Sequence, residues 1–144
     1  MVRSANADAV FIDTGAFIAR YDQDDQHHHE ALALWARLAP TTGRWRLVTS
    51  GGVLTETFTL LGRRTNFPYA ARIARQILES SSFTVCWQEP DIASAALTWF
   101  AKFADQSISW VDCESFAYMK AGRMTRVFTF DRHFDDAGFR RFPG

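Results

Sequence analysis

The sequence predicts an α/β fold built on a mostly parallel sheet with helices on both faces. Short β-favouring apolar runs alternate with helical stretches along the whole chain, as parallel strands require, because each crossover needs a helix-length connection. Two of these runs, Val10-Phe11-Ile12 and Val127-Phe128-Thr129-Phe130, read as buried strands and are each followed at once by an acid, Asp13 and Asp131. An acid in that place lies on the carboxyl rim of the sheet, where ligands bind in open α/β folds. If the two strands are neighbours, the acids share the rim. The 144 residues allow one domain with a sizeable core, and no linker, repeat or low-complexity segment divides residues 1–144.

After the first strand, Ala16 to Tyr21 reads as a short helix, and Asp22 to Gln26 as a polar loop able to cap the next one. His27, His28 and His29 lead into the apolar helix Ala31 to Leu38, which Pro40 stops. Adjacent histidines on a helix point in different directions and cannot converge on one ion, so they read as a solvated helix start. Trp45 to Thr49 is the second strand and Ser50-Gly51-Gly52 a loop opening the helix Val53 to Leu61, with Leu54, Phe58 and Leu61 on its core face. Glu56 then falls in the first turn of that helix, close to the end of the strand.

Arg63 and Arg64 suit a helix C-terminus, and they are also placed to line a nucleic-acid groove. Asn66-Phe67-Pro68 is a turn before the helix Tyr69 to Leu78, and Ser80 to Ser82 breaks it. Phe83 to Trp87 is the third strand. A helix starting at Glu89-Pro90-Asp91 carries Ile92, Ala96, Trp99, Phe100 and Phe103 as a core stripe. Asp105 belongs to the following polar connection. Trp110 to Met119 is another helix, with Asp112 near its N-terminus, and Gly122 ends it. The strand of Val127 to Phe130 delivers Asp131, and a turn with a short helix leads to the edge segment Arg140 to Phe142.

Composition narrows the function. No apolar run is long enough for a membrane span, and the first eight residues lack the apolar region of a signal peptide. Cys86 and Cys113 have no metal-type spacing, so the sequence predicts a cytoplasmic protein with free thiols. Sixteen basic residues balance sixteen acidic ones, which gives no overall nucleic-acid footprint. Fourteen of the sixteen are Arg, whose planar fork suits phosphate oxygens, although a bias toward Arg codons explains that count equally well.

Any one of Asp13, Glu56, Asp112 and Asp131 is explained by helix capping or by the helix dipole. All four, however, fall at the carboxyl end of a strand or at the start of the helix beside it. Four carboxylates that close together cannot all ionise without a cation between them. Oxygen ligands suit Mg²⁺ or Mn²⁺, and neither the histidines nor the cysteines are placed to favour Zn²⁺. Such a cluster prepares phosphoester chemistry. Glu114, two residues beyond Asp112, points away from a shared ion. Arg132 and His133 flank Asp131 and are placed either to touch substrate or to pair with Asp135 or Asp136.

Four blocks in order, Phe11-Ile12-Asp13-Thr14-Gly15-Ala16-Phe17, Val53 to Leu61 around Glu56, Trp110-Val111-Asp112-Cys113-Glu114-Ser115-Phe116-Ala117 and Thr129-Phe130-Asp131-Arg132-His133-Phe134, make the chain resemble the PIN-domain family of metal-dependent ribonucleases, and more closely its VapC-type toxin branch. The resemblance implies a three-layer α/β/α sandwich whose acidic cluster binds one or two Mg²⁺ or Mn²⁺ ions and cuts RNA to 5′-phosphate and 3′-hydroxyl ends. Carried across, Asp13, Glu56, Asp112 and Asp131 are the metal-holding quartet. Thr14, at a helix start, either orients Asp13, contacts phosphate or caps its helix. The resemblance further implies a small antitoxin that covers the groove, and a homodimer. A non-catalytic module on the same fold, binding RNA or protein, is the alternative reading. A haloacid-dehalogenase-type phosphatase would need a second Asp where Gly15 stands, a receiver domain would need an acid pair at the end of the first strand, and a flap nuclease would need more acids and helices than the chain holds.

Overall fold

The structure, a computed structural model, describes residues 8–39 and 43–144. Strands β1 (Ala9–Ile12), β2 (Arg46–Ser50), β3 (Phe83–Cys86), β4 (Arg126–Phe128) and β5 (Arg140–Arg141) form one sheet in the order β3-β2-β1-β4-β5. Every pair is parallel, so the sheet expected to be mostly parallel is parallel throughout. Helices α1 (Thr14–Tyr21), α2 (His28–Arg37), α3 (Gly51–Arg64), α4 (Phe67–Glu79), α5 (Pro90–Lys102), α6 (Trp110–Ala121) and α7 (His133–Asp136) connect the strands. The chain runs outward from β1 through β2 to β3, then returns past β1 to β4 and β5. Right-handed crossovers therefore place the early and the late helices on opposite faces. The packing agrees: α1 lies against α2 and α3, and α3 against α4, while α5 lies against α6.

β1 is the central strand. Phe11 pairs with Val48 of β2 on one side and with Val127 of β4 on the other, and Val10, Phe11 and Ile12 are fully buried. A strand covered on both faces has no use for polar alternation, which is why this one reads as a continuous apolar run. Because β1 and β4 are neighbours at the point where the strand order reverses, a crevice opens at their carboxyl ends. Asp13 follows one of these strands and Asp131 the other.

Several boundaries differ from expectation, each for a local reason. α1 begins at Thr14 and not at Ala16. Ser50 caps α3 by accepting a hydrogen bond from the Val53 N–H, so Gly51 and Gly52 are helical and not loop. Glu56 therefore sits in the second turn. Asn66 Oδ1 likewise accepts from the Tyr69 N–H, and the expected turn at Phe67-Pro68 becomes the first turn of α4, where proline is tolerated. α2 starts at His28, ahead of Ala31; its predicted stop, Pro40, lies outside the described residues, as do residues 1–7.

Strand β4 ends at Phe128, so Thr129 and Phe130 intervene before Asp131. The Thr129 hydroxyl donates to Asp13 Oδ2 at 2.8 Å and accepts from the Asp131 N–H at 3.0 Å, which turns the chain across the end of β1. Trp45 and Trp87 fall outside β2 and β3. Phe100, expected in the core, is 43% exposed, whereas Ala96 and Phe103 are buried and Trp99 is stacked on Phe103. No helix among the described residues is long and apolar enough to cross a membrane.

Candidate active site

All four acids singled out in the sequence line one hollow of about 620 Å³ at the β1/β4 crevice, together with Thr14 and Arg132. Capping does not explain Asp13, Glu56 or Asp112. Asp13 occupies the N-cap position of α1 but makes no side-chain cap hydrogen bond. Its Oδ2 instead accepts from Thr129, and its Oδ1 is buried without a partner. Asp112 is not the cap of α6 either, because Ser109 Oγ accepts the Asp112 N–H at 3.1 Å and performs that role. Glu56 lies beyond the first turn of α3, where the helix dipole has faded. Asp131 Oδ1 accepts the His133 N–H at 2.9 Å, a turn that holds the carboxylate at the start of α7.

The electrostatics record the crowding. Burial first, and then the neighbouring charges of Glu56 and Asp131, push the Asp13 carboxyl up to about 6 against the lowering effects of the Thr129 hydroxyl and the Thr14 backbone. Burial, followed by Asp13, Asp131 and Glu56, pushes Asp112 up to about 8. The lining holds five carboxylates, those of Asp13, Asp25, Glu56, Asp112 and Asp131, against the guanidinium groups of Arg64 and Arg132. Arg64 is already paired with Asp25 at 3.1 Å, so the deficit of positive charge is real.

This predicts a pH-dependent stability. A carboxyl whose pKa in the fold lies above its ordinary 3.8 favours the folded chain when protonated, and that contribution is complete below 3.8 and lost as the pH rises toward 8. In EDTA, Asp112→Asn should therefore melt several degrees above the unsubstituted protein at pH 8, and much closer to it at pH 4.5. Saturating Mg²⁺ should stabilise the unsubstituted protein more than the variant. A gap in melting temperature that does not grow with pH would mean that Asp112 is not crowded by the other acids.

The structure also places what the sequence left open. Glu114 does turn away: it is buried, accepts a hydrogen bond from Gln88 Nε2 at 2.6 Å, and backs against Gly52, where a Cβ would collide with its Oε1. Asp105 is exposed in the connection before α6. Asp135 pairs with Arg141 at 3.1 Å, so it is not the partner of Arg132. Both cysteines are free thiols, and burial followed by Asp112 pushes Cys113 up to about 11, which keeps it protonated.

His27 gains a place at the site that its local sequence does not signal. His27 stacks on Phe130 at 4.3 Å with parallel rings, and the pair forms part of the wall of the hollow. Only the fold brings the second loop against the segment after β4. The His133 ring also folds back over the acids, with Nδ1 3.2 Å from Asp131 Oδ1 and 3.9 Å from Asp112 Oδ2.

The PIN domain family matches the chain over residues 10–140. The chain belongs to the PIN-domain family. Within it the chain is of the VapC toxin type, an endoribonuclease branch: it is 34% identical over 130 residues to the 23S rRNA-specific endonuclease VapC20 of Mycobacterium tuberculosis, covering 90% of this chain and 95% of that protein. The crystal structure of that VapC20, described as a sarcin-ricin loop cleaving toxin, superposes on this PIN domain with a TM-score of 0.82 at 32% identity, covering 90% of this chain and 95% of the other. FitAcB from Neisseria gonorrhoeae shares the fold at a TM-score of 0.66 and 16% identity, over 92% and 96% of the two chains.

Proposed function

We propose that this PIN domain is a Mg²⁺- or Mn²⁺-dependent endoribonuclease whose target is ribosomal RNA and whose activity is held in check by a cognate antitoxin. Asp13, Glu56, Asp112 and Asp131 hold the metal. The observation that carries this reading is the hollow itself, where four carboxylates converge and a buried Asp13 oxygen has no partner. An oxygen-rich, electron-donating lining of that kind fits a hard divalent cation. A cation held there by these acids would supply Lewis acidity toward a phosphate oxygen and lower the pKa of a bound water toward neutrality.

The chain's own residues do the rest. Thr129 fixes one Asp13 oxygen and leaves the other facing the hollow. Thr14, the first residue of α1, presents a buried hydroxyl with no partner at a helix N-terminus that opens on the hollow, an arrangement that donates to phosphate oxygens. Arg132, exposed at the mouth of the hollow, is placed to take a flanking phosphate in a bidentate grip. The ribosomal substrate is carried over from the relative at 34% identity. An antitoxin that places an Arg among the acids would satisfy the same charge deficit and close the groove.

The test is cleavage of 23S rRNA and of other structured RNAs by purified protein in Mg²⁺ or Mn²⁺, with EDTA and Asp112→Asn as controls. Cutting that ceases in both controls, and is most efficient on 23S rRNA, is the expected result. Intact RNA in the presence of bound metal would favour the non-catalytic alternative, and cutting that survives Asp112→Asn would remove that acid from the site. Gel filtration of the same preparation reports whether the chain pairs with a second copy.

A further inference from the structure

We propose that His133 is a metal ligand of this centre, so that the donor set is mixed nitrogen and oxygen and not oxygen alone. The inference rests on the reading of the hollow as a divalent-cation site. Ligand atoms of Asp112, Asp131 and His133 all lie within 4.8 Å of one another, close enough to meet on one ion. His133 Nδ1 is the ring atom facing the two carboxylates, and although it is buried it makes no hydrogen bond. A ring held there as a hydrogen-bonding clamp would have its nitrogen satisfied, since a buried polar atom without a partner is costly.

The position is built and not incidental. The hydrogen bond from the His133 N–H to Asp131 Oδ1 sets the backbone of His133 against the carboxylate. The next residue, Phe134, is fully buried and packs edge-on against Phe116 at 5.0 Å, which ties the start of α7 to α6 one turn beyond Asp112. The two acids and the ring thus belong to one rigid unit. Asp13, with its orphaned Oδ1, faces the hollow that Asp112 and Asp131 line, from the end of β1.

The competing role for this ring is that of a counter-ion, a protonated imidazole that neutralises Asp112 and Asp131. The two roles predict opposite effects. A counter-ion competes with a bound cation, so its removal tightens metal binding; a ligand contributes to binding, so its removal weakens it. A nitrogen donor also favours ions later in the Irving–Williams order over Mg²⁺.

The experiment is Mn²⁺ binding followed by electron paramagnetic resonance, with the unsubstituted protein, His133→Ala and His133→Gln. The expected results are a ¹⁴N modulation from a ligated imidazole on Mn²⁺ in the unsubstituted protein, its loss in both variants, and a fall in Mn²⁺ affinity of at least about tenfold, larger than the fall for Mg²⁺. Bound Mn²⁺ without nitrogen modulation would overturn the assignment while leaving the carboxylate centre standing. Unchanged or tighter Mn²⁺ binding in the variants, or modulation that persists in them, would overturn it as well. If Mn²⁺ stays free in solution, the metal-centre reading falls and this inference with it. Should the variants fail to fold, the spectrum of the unsubstituted protein still decides.

Discussion

Asp13→Asn should slow RNA cleavage by about 10³-fold or more, equivalent to roughly 4 kcal/mol of lost transition-state stabilisation, while leaving the protein folded. Asn has the volume of Asp, and its side-chain oxygen can still accept the Thr129 hydroxyl now bonded to Asp13 Oδ2 at 2.8 Å. What it removes is the negative charge next to the orphaned Oδ1, the atom with the clearest need for a cation. The variant should lose its activity without losing stability in EDTA, because Asp13 is ionised only at a cost in its buried site. Single-turnover cleavage of RNA, paired with thermal melts with and without Mg²⁺, separates the two effects. A variant that keeps activity within tenfold of the unsubstituted protein would show that Asp13 is not at the reacting centre.

Phe116→Ala should destabilise the fold by about 3–5 kcal/mol and lower the melting temperature by roughly 10–20 °C. Phe116 is fully buried on α6 and meets Trp99 at 5.3 Å, Phe134 at 5.0 Å and Phe139 at 5.8 Å, with Phe103 slightly farther away. The ring therefore joins α5, α6, α7 and the segment leading to β5, and these neighbours cannot all close over the space it leaves. Phe116→Leu, which refills much of that space, should cost distinctly less. Because Asp112 lies one turn before Phe116 on α6, and His133 immediately precedes its partner Phe134, the Ala variant should also weaken metal binding even where it is fully folded. Urea titrations give the stability change and Mn²⁺ titrations the binding change. A loss under about 1 kcal/mol would mean that this aromatic cluster does not hold the two halves of the site together.

The acids that make up the hollow were legible one by one for a single physical reason: each lies close to the end of an element whose apolar pattern is local. Val10 to Ile12 is buried on both sides of β1 and reads as a strand in any context, so Asp13 is placed by its neighbours alone. Glu56 shows the limit of such reading. Its approximate place was clear, but the Ser50 cap draws two glycines into α3 and moves Glu56 two residues further along, out of the first turn, a choice made by one hydrogen bond that a glycine pair does not announce. Asp131 is displaced in the same way by Thr129, whose hydroxyl serves Asp13 from 116 positions away.

Phe100 and His27 illustrate the other kind of miss. The stripe from Ile92 to Phe103 is helical, but the width of the face that α6 covers depends on how the two helices pack, and Phe100 lies at its edge, meeting Trp110 at the start of α6 at 5.6 Å and keeping 43% of its surface exposed. His27 reads as a solvated helix start because nothing within several residues of it asks for an aromatic partner; Phe130 arrives only when β1 and β4 pair.

Apolar periodicity, caps and turns act over a few residues, and so the alternation of strands and helices, the parallel sheet and the rim position of the acids follow from the chain read in order. The strand order β3-β2-β1-β4-β5, the unmet charge of the acidic hollow and the fold of His133 over Asp112 and Asp131 depend on contacts between segments more than a hundred residues apart or on neighbouring turns of different elements. Such contacts are selected by packing and desolvation of the assembled molecule, and no local stretch of sequence carries them.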